Sequence, residues 1–417
     1  MATAREARRA AFIAEGVLAL ARNREDRGAG GHDAYFAGVQ AALARAGIAE
    51  PALVVDRARL AANIEAVRDA LAPSGLALRV VSKSLQAPAL LELIMAGCAS
   101  ERLMVFSGVM LDEVARRYPT ADVLLGRPLP ALQVDAFIRR RATEPSPASH
   151  PQWLVDSAHR FGQYVAIARA ANVPIRINLE IDVGLHRGGL ADLSALAALL
   201  DLAAAEPLVE VTGLMGYDAH VPALGDPKAE TGRVKARYAD AKALLIARLG
   251  GDPARFTFNT AGSPTFMHHL EETPASEVSV GSAFLKPLNY DHGALHALQP
   301  AAFIAQPVLK VMQQALIPGI EAHAEALNAL DPNSRRGVFL YGGYGDAEPT
   351  SPPGLGFSPL YGGRSMLSGS DKVEIAQDDM VFFRPRESEG VLLQYGDIAV
   401  FDGAEIVERW ATFPVHA

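Results

Sequence analysis

The sequence predicts an α/β chain with a closed (β/α)8 barrel of the TIM type over residues 51–300 and an antiparallel β domain over residues 301–417. Three observations predict it. From about residue 52, short apolar β-branched runs alternate with longer Ala/Leu/Arg stretches of helical period. The short runs number eight, and eight βα repeats over roughly 200–250 residues match a closed barrel. Near residue 300 the texture changes to strands separated by Gly, Pro and Asp turns. A doubly wound open sheet is the competing architecture, but no Gly-x-Gly-x-x-Gly turn follows an early strand.

In chain order, residues 1–50 read as a helical extension. Its first part (MATAREARRAAFIAEGVLAL) is basic and then apolar, as in a secretory signal, but Glu6 and Glu15 interrupt it and no clear small-residue cleavage site follows. An amphipathic helix is the expectation. The run Pro51–Asp56 precedes the barrel and is a candidate to pair with the C-terminal sheet. The barrel strands are expected at Leu78–Ser82, Leu103–Phe106, Asp122–Leu125, Trp153–Asp156, Arg176–Ile181, Val211–Gly216, Phe256–Asn259 and Val278–Val280. Helices are expected at Pro88–Ala96, Met110–Tyr118, Leu129–Arg140, Ala158–Ala171, Leu190–Ala205 and Ala229–Arg248. Later strands are expected at Ile304–Met312, Gly337–Tyr341, Met380–Phe383, Gly390–Gln394, Ile398–Phe401 and Ile406–Trp410. Between them, Gly342 to Gly369 reads as a long Gly/Pro/Ser-rich loop.

Composition narrows the function. The 417 residues carry 39 Lys and Arg against 47 Asp and Glu, a formal charge of −8, with half of the residues hydrophobic. A net acidic chain without a basic run is a poor nucleic-acid binder, because phosphate contacts need clustered cations. The single Cys98 excludes an intrachain disulfide framework and a multi-cysteine zinc site. No stretch has the uninterrupted apolar length of a membrane span, so the expected compartment is the cytoplasm.

Barrel enzymes place their chemistry at the C-terminal ends of the strands. Lys83 is the first residue past the first barrel strand. A lysine against apolar walls makes a neutral amine accessible, which can form a Schiff base with an aldehyde; a lysine that simply exits into water is the commoner case. The fifth strand runs into Glu180-Ile-Asp182-Val-Gly184-Leu-His186-Arg187-Gly188-Gly189. This dense polar cluster reads equally well as a ligand site or as an ion-pair network at the barrel rim. The sixth strand ends in Tyr217-Asp218-Ala-His220, where Tyr217 could flank a flat ring and His220 could move protons near neutral pH. A lone Tyr and His there are more often structural. Small residues follow the seventh strand (Thr260, Gly262, Ser263) and the eighth (Gly281, Ser282). They leave backbone N–H groups free for an anion, helped by helix dipoles, at the recurrent phosphate position of such barrels. One ligand with a phosphate, a flat ring and an aldehyde satisfies all of these positions, and pyridoxal 5'-phosphate has that form.

From about Pro51 to the C-terminus the sequence resembles the fold-type III pyridoxal-phosphate enzymes, in the branch that holds D-threonine aldolase and eukaryotic-type D-serine dehydratase. Alanine racemase is a more distant relative. The resemblance rests on Pro-Ala-Leu-Val-Val-Asp at 51–56, the lysine after the first barrel strand, Glu180-Ile-Asp-Val-Gly-Leu-His-Arg187-Gly-Gly, Gly213-Leu-Met-Gly-Tyr217 and Gly262-Ser-Pro-Thr265. It implies that Lys83 carries the cofactor and acts as a base, and that Arg187 faces the pyridine nitrogen. A permanently protonated guanidinium donates to that nitrogen and cannot accept from it, which weakens the ring as an electron sink. The resemblance further implies that Tyr217 contacts the ring and that Thr260, Gly262, Ser263, Gly281 and Ser282 hold the phosphate. It also implies a homodimer with sites between the barrel of one chain and the β domain of another.

Two departures bear on the substrate. Relatives often carry Pro-x-His-x-Cys or Pro-x-His-x-Asp as a divalent metal site, and the matching stretch here is Arg384-Pro385-Arg386-Glu387-Ser388-Glu389. Two glutamates could hold Mg²⁺ or Mn²⁺ but lack the donors that zinc favours. Surface glutamates paired with Arg384 or Arg386 are the preferred reading, so no metal is assigned. Val80-Val81-Ser82 stands where many relatives have Arg-Pro-His. The expected function is a pyridoxal-phosphate lyase acting on a β-hydroxy D-amino acid, by retro-aldol cleavage or by elimination. The alternatives are an amino-acid racemase or epimerase, a non-catalytic pyridoxal-phosphate carrier, and a metal-dependent barrel hydrolase using Asp182, His186, His220 and Glu387.

Overall fold

Eight parallel strands close on themselves in the computed structural model, which describes residues 11–12, 15–16, 24–141, 143–314, 316, 321–342, 346–357 and 365–414. The amphipathic helix expected at the N-terminus lies largely outside the described residues. The chain forms two compact units. One holds residues 59–299, 388–393 and 411–417; the other holds residues 1–58, 300–387 and 394–410. The units therefore interleave along the chain, whereas the sequence division places its cuts at 51 and 301.

In the first unit the barrel strands are β2 (Ala77–Val81), β3 (Arg102–Val105), β4 (Asp122–Leu125), β5 (Gln152–Val155), β6 (Ile175–Glu180), β7 (Val209–Gly216), β8 (Thr257–Thr260) and β9 (Glu277–Val280). Strand β9 pairs in parallel with β2 and closes the ring. The crossover helices are α2 (Arg57–Leu71), α3 (Pro88–Gly97), α4 (Gly108–Arg117), α5 (Ala131–Arg141), α6 (Ala158–Ala171), α7 (Leu193–Ala204) and α8 (Pro227–Leu249). Their starts are chemically specified. Ser107, Ser157, Asp192 and Asp226 each accept a hydrogen bond from an N–H in the first turn, satisfying donors that a helix leaves open. Strands β8 and β9 are followed by single 3-10 turns (Phe266–His269 and Ser282–Phe284), so the helix dipoles expected at those two loops are absent.

Strand alternation sends every second side chain inward. At the lower end of the barrel this interior is polar: Arg79, wholly buried, donates to Glu277, to Asp122 and to the carbonyls of Leu103 and Asp122. Two residues further along the same strands stand Val81 and Ser279, and two further again Lys83 and Gly281. The chemistry of the barrel mouth thus rests on a charged layer, with an intermediate layer that includes Val81, Met104 and Leu124.

In the second unit β1 (Ala52–Asp56) lies between β10 (Ala302–Met312) and β16 (Ile398–Phe401), antiparallel to the first and parallel to the second. The sheet continues through β11 (Arg336–Leu340), β14 (Met366–Gly369) and β13 (Gly356–Phe357) on one side and β17 (Ile406–Trp410) on the other. Strand β15 (Met380–Pro385) also pairs with β10, and β12 (Ala347–Ser351) pairs with β15. Helix α1 (Ala34–Arg45) packs Phe36 against Phe303 and Phe382, at ring separations of 5.1 and 5.0 Å. Two expectations need correction. Residues 390–394 form no strand: Val391–Leu393 is a 3-10 turn. The long loop at 342–369 contains β12, β13 and β14, because Ala347, Leu355 and Leu367 are apolar enough to be buried; its residues 343–345 and 358–364 lie outside the described residues.

Candidate active site at the barrel mouth

A cavity of about 510 Å³, counting the space open to solvent, lies at the C-terminal ends of the barrel strands, within the range of small-molecule sites. Lys83, Arg187, Tyr217, Gly262, Ser263, Gly281 and Ser282 all line it. So do Phe106, Asn259, Ser279 and Tyr290, which the sequence reading missed, and Glu389, which it weighed as a metal ligand or a surface glutamate. Inward alternation could have found Asn259 and Ser279, since each stands two positions before a residue of the small loops.

Lys83 sits in a 3-10 turn that continues β2, anchored by the Ser82 hydroxyl, which donates to the Met104 carbonyl. Its Nζ lies 4.5 Å from the Phe106 ring centre and 2.6 Å from Glu389 Oε1. The apolar wall that the sequence predicts around this lysine is Phe106, Val81 and Met104; the carboxylate is the unforeseen part. Glu389 is held on the barrel by its neighbours: Ser388 Oγ is 3.0 Å from Ser282 Oγ, and the Gln86 side chain donates to the Glu389 carbonyl at 2.7 Å. Glu389 is thus paired with Lys83 and is not a surface glutamate paired with Arg384 or Arg386. Arg386 instead pairs with Asp346 and Glu348. Glu387 belongs to the other compact unit. Among the described residues no group of three or more His, Cys, Asp and Glu side chains is arranged to hold a metal ion.

The Tyr217 ring lies directly on Gly262: a Cβ there would come within 2.5 Å of the ring. On the ring's other contact, the Arg187 guanidinium stands 4.8 Å from its centre, a cation–π distance. The loop that presents Arg187 is folded by Asp182, whose carboxylate accepts from the N–H groups of Gly184 (2.9 Å) and His186 (3.0 Å) and pairs with His186 Nδ1. Burial opposes the charge of Asp182, but those hydrogen bonds outweigh it and hold the carboxyl below its usual range. Gly189, at φ +92°, allows the loop to return against β6, where a Cβ would lie 2.6 Å from Asp182 N. Beneath the loop, Glu180 is buried. Desolvation pushes its carboxyl up to about 7; Arg187 counters this, and Asp156 and Asp182 add to it.

Across the cavity, Ser263 Oγ accepts from two backbone N–H groups, Gly281 at 3.0 Å and Ala283 at 3.1 Å. The two amides therefore converge on one point near the cavity wall. Gly281 is required there, because a Cβ would meet Val81 and Ser84 within 3 Å. Thr260 does not line the cavity: it is buried and its hydroxyl donates to Gly216 O. His220 is also outside, with Nε2 3.2 Å from Glu230 Oε1. Asp182 and His186 pair with each other, and His220 turns to Glu230, so the residues considered for a metal hydrolase are not brought to one centre. The site combines an amine held by a carboxylate, an aromatic face capped by a guanidinium, and a convergent pair of backbone donors. That set suits a flat, anionic, aldehyde-bearing ligand.

The family model for the alanine racemase N-terminal domain matches residues 55–288. No curated protein matches the sequence. Among solved structures, the chain is similar to D-threonine aldolase from Filomicrobium marinum, with a TM-score of 0.69 and 17% identity over 86% of this chain and 94% of that one. It is similar to D-threo-3-hydroxyaspartate dehydratase from Delftia sp. HT23, with a TM-score of 0.67 and 17% identity over 88% and 97%. It is also similar to alanine racemase from Bacillus anthracis, with a TM-score of 0.64 and 13% identity over 87% and 97%. At these identities the structural likeness establishes the fold.

Proposed function

The chain belongs to the alanine racemase N-terminal domain family, among the fold-type III pyridoxal-phosphate enzymes, and on that premise we propose that it is a pyridoxal-phosphate-dependent lyase acting on a β-hydroxy D-amino acid. One observation carries the reading: Lys83 shares a cavity with Ser263, Gly281 and Ser282, and the Gly281 amide points to Ser263 there. The residues present fit the cofactor. Gly262 lets the Tyr217 ring sit at the cavity wall and Gly281 lets its loop close on Val81 and Ser84, and a lysine follows the strand that pairs with the one leading into Gly281.

When bound, pyridoxal phosphate supplies an aldehyde for the substrate amine and a conjugated ring that draws electrons from the bonds at Cα. In the elimination reading Lys83 Nζ would take the proton at Cα, and the β-hydroxyl would leave with a proton as water. Glu389 Oε1 stands ready to hold a proton that Lys83 releases, or to accept the β-hydroxyl proton in the retro-aldol reading. Arg187, which lines the cavity, would donate to the ring nitrogen and could not accept from it. Ser263, Ser282 and the Gly281 amide would hold the phosphate.

A racemase or epimerase is the second reading. It is favoured by Glu389, which stands where related sequences carry a metal ligand and here engages Lys83, giving the cavity a second acid–base group beside the amine. The substrate is a small molecule, an amino acid. We propose a homodimer in the cytoplasm; no described helix is long and apolar enough to cross a membrane.

The test is an absorption spectrum of the purified protein with pyridoxal phosphate, before and after D-threonine, D-serine and D-alanine, with borohydride trapping at Lys83. A trapped adduct with an aldehyde product supports the aldolase, a keto acid supports the dehydratase, and inverted alanine supports the racemase. A trapped adduct without turnover on the whole panel would leave a cofactor carrier. A colourless protein unlabelled at Lys83 would refute the cofactor. A gel-filtration mass equal to one chain would refute the dimer.

A further inference from the structure

Asp218 follows Tyr217 directly, is wholly buried and does not line the cavity. Its two oxygens have separate partners. One accepts from the Thr265 hydroxyl, and the other is 2.8 Å from His269 Nε2. A carboxylate with no solvent exposure is costly to bury, so its partners matter to where the chain settles.

The polarity of this cluster is fixed in one direction. A carboxylate only accepts, so the Thr265 proton goes to Asp218. That leaves the Thr265 oxygen to accept, and it takes the N–H of Gly262 at 3.2 Å. Gly262 is the residue on which the Tyr217 ring rests, and its neighbour Ser263 is the point at which the Gly281 and Ala283 amides converge. His269 forms the second anchor: its Nδ1 is 3.2 Å from Thr273 Oγ1, which accepts from Ala275 N. One carboxylate at the end of β7 therefore ties down the whole segment from Gly262 to Ala275.

We propose that Asp218 and Thr265 are positioning residues for the anion cradle: through the Gly262 N–H they set where Ser263 stands, and so determine how well the site grips a phosphate ester. The inference rests on the pyridoxal-phosphate reading and adds to it a specific dependence on the phosphate group. Neither residue lines the cavity, and the Gly262 N–H joins them to the Ser263 loop, so their larger effect falls on the phosphate end.

The experiment compares full-length wild type, Thr265→Val and Thr265→Ser for binding of pyridoxal phosphate and of pyridoxal, which lacks the phosphate. Adducts are trapped at Lys83 with borohydride, and thermal melting is followed in parallel. Valine keeps the shape of threonine and removes the hydroxyl; serine keeps the hydroxyl. Thr265→Val should weaken pyridoxal phosphate about tenfold, the effect of one lost buried hydrogen bond, while leaving pyridoxal within about twofold. Thr265→Ser should restore the preference. Equal losses for both ligands, or an unchanged preference, would overturn the clamp while leaving the cofactor reading intact. A wild type that takes up neither ligand would overturn both. Should Thr265→Val not fold, Asp218→Asn serves instead: its amide can turn an NH₂ toward Thr265 and reverse the polarity of the chain. The phosphate preference should then fall at least threefold, and an unchanged preference would refute the proposal.

Discussion

Lys83 Nζ lies 2.6 Å from Glu389 Oε1, a contact made by two short segments far apart in sequence. Both side chains are partly exposed, 33% and 40%, so the pair is accessible to a substrate and is no buried structural bridge. Partly exposed pairs contribute little stability, which makes a chemical role the better account of the geometry. Glu389→Gln should lower kcat about 100-fold, at the low end of the range for losing an acid–base group. Borohydride trapping of the cofactor at Lys83 should persist. Wild-type kcat in this variant would remove Glu389 from the chemistry.

Gly262 and Tyr217 make a second testable contact. A methyl group at 262 would meet the ring at 2.5 Å, closer than van der Waals contact allows, and the ring must then turn away from its place beside Arg187. Gly262→Ala should leave the melting temperature within a few degrees, because the loop is at the cavity rim, yet raise the dissociation constant for pyridoxal phosphate by about tenfold or more. Titration of cofactor fluorescence reads this directly. An alanine variant that binds as tightly as wild type would show that Tyr217 does not need this seat.

The barrel and its mouth were legible because both obey short-range rules. Alternating βα texture places eight strands, and strand ends place Lys83, Tyr217 and Gly281 on one side of the barrel. Three features escaped for physical reasons. Glu389 reaches Lys83 from a segment more than 300 residues away, a tertiary relation that no local pattern encodes. The segment 390–394 is apolar and reads as a strand, yet its backbone closes into a 3-10 turn. His220 and Thr260 have the right residue types at strand ends, but their hydrogen bonds to Glu230 and to the Gly216 carbonyl turn them from the cavity.

Glu180 gives the protein a pH dependence of definite sign. Burial raises its carboxyl in the folded chain from 4.5 to about 7. The folded state then holds a proton that the unfolded state has lost between those two values. Stability contributed by the protonated form is complete below about pH 4.5 and declines as pH rises toward 7, by about 3 kcal/mol in all. Glu180→Gln keeps the shape and cannot ionise. Urea unfolding at pH 5 and pH 8 should show that the wild type loses this increment and the variant does not. Parallel pH profiles for the two proteins would exclude Glu180 as the source.

Arg79 tests the charged layer beneath the site. All five of its N–H donors are engaged, and it is surrounded by Glu277 and Asp122 with no solvent contact. The guanidinium draws the Asp122 carboxyl well below its usual range despite the burial that opposes it. Removing the cation alone leaves the buried Glu277 carboxylate and the half-buried Asp122 carboxylate without it, with Arg102 and Arg176 as partial substitutes from the barrel's edge. Arg79→Met should therefore cost about 3–5 kcal/mol. Adding Glu277→Gln to it removes one of the stranded charges and should recover part of that loss, since the penalty comes from uncompensated charge and not from lost packing. Urea denaturation of the two single variants and the double variant measures the coupling. Simple additivity of the two substitutions would mean that the layer is held by shape, and the electrostatic account of the barrel floor would fall.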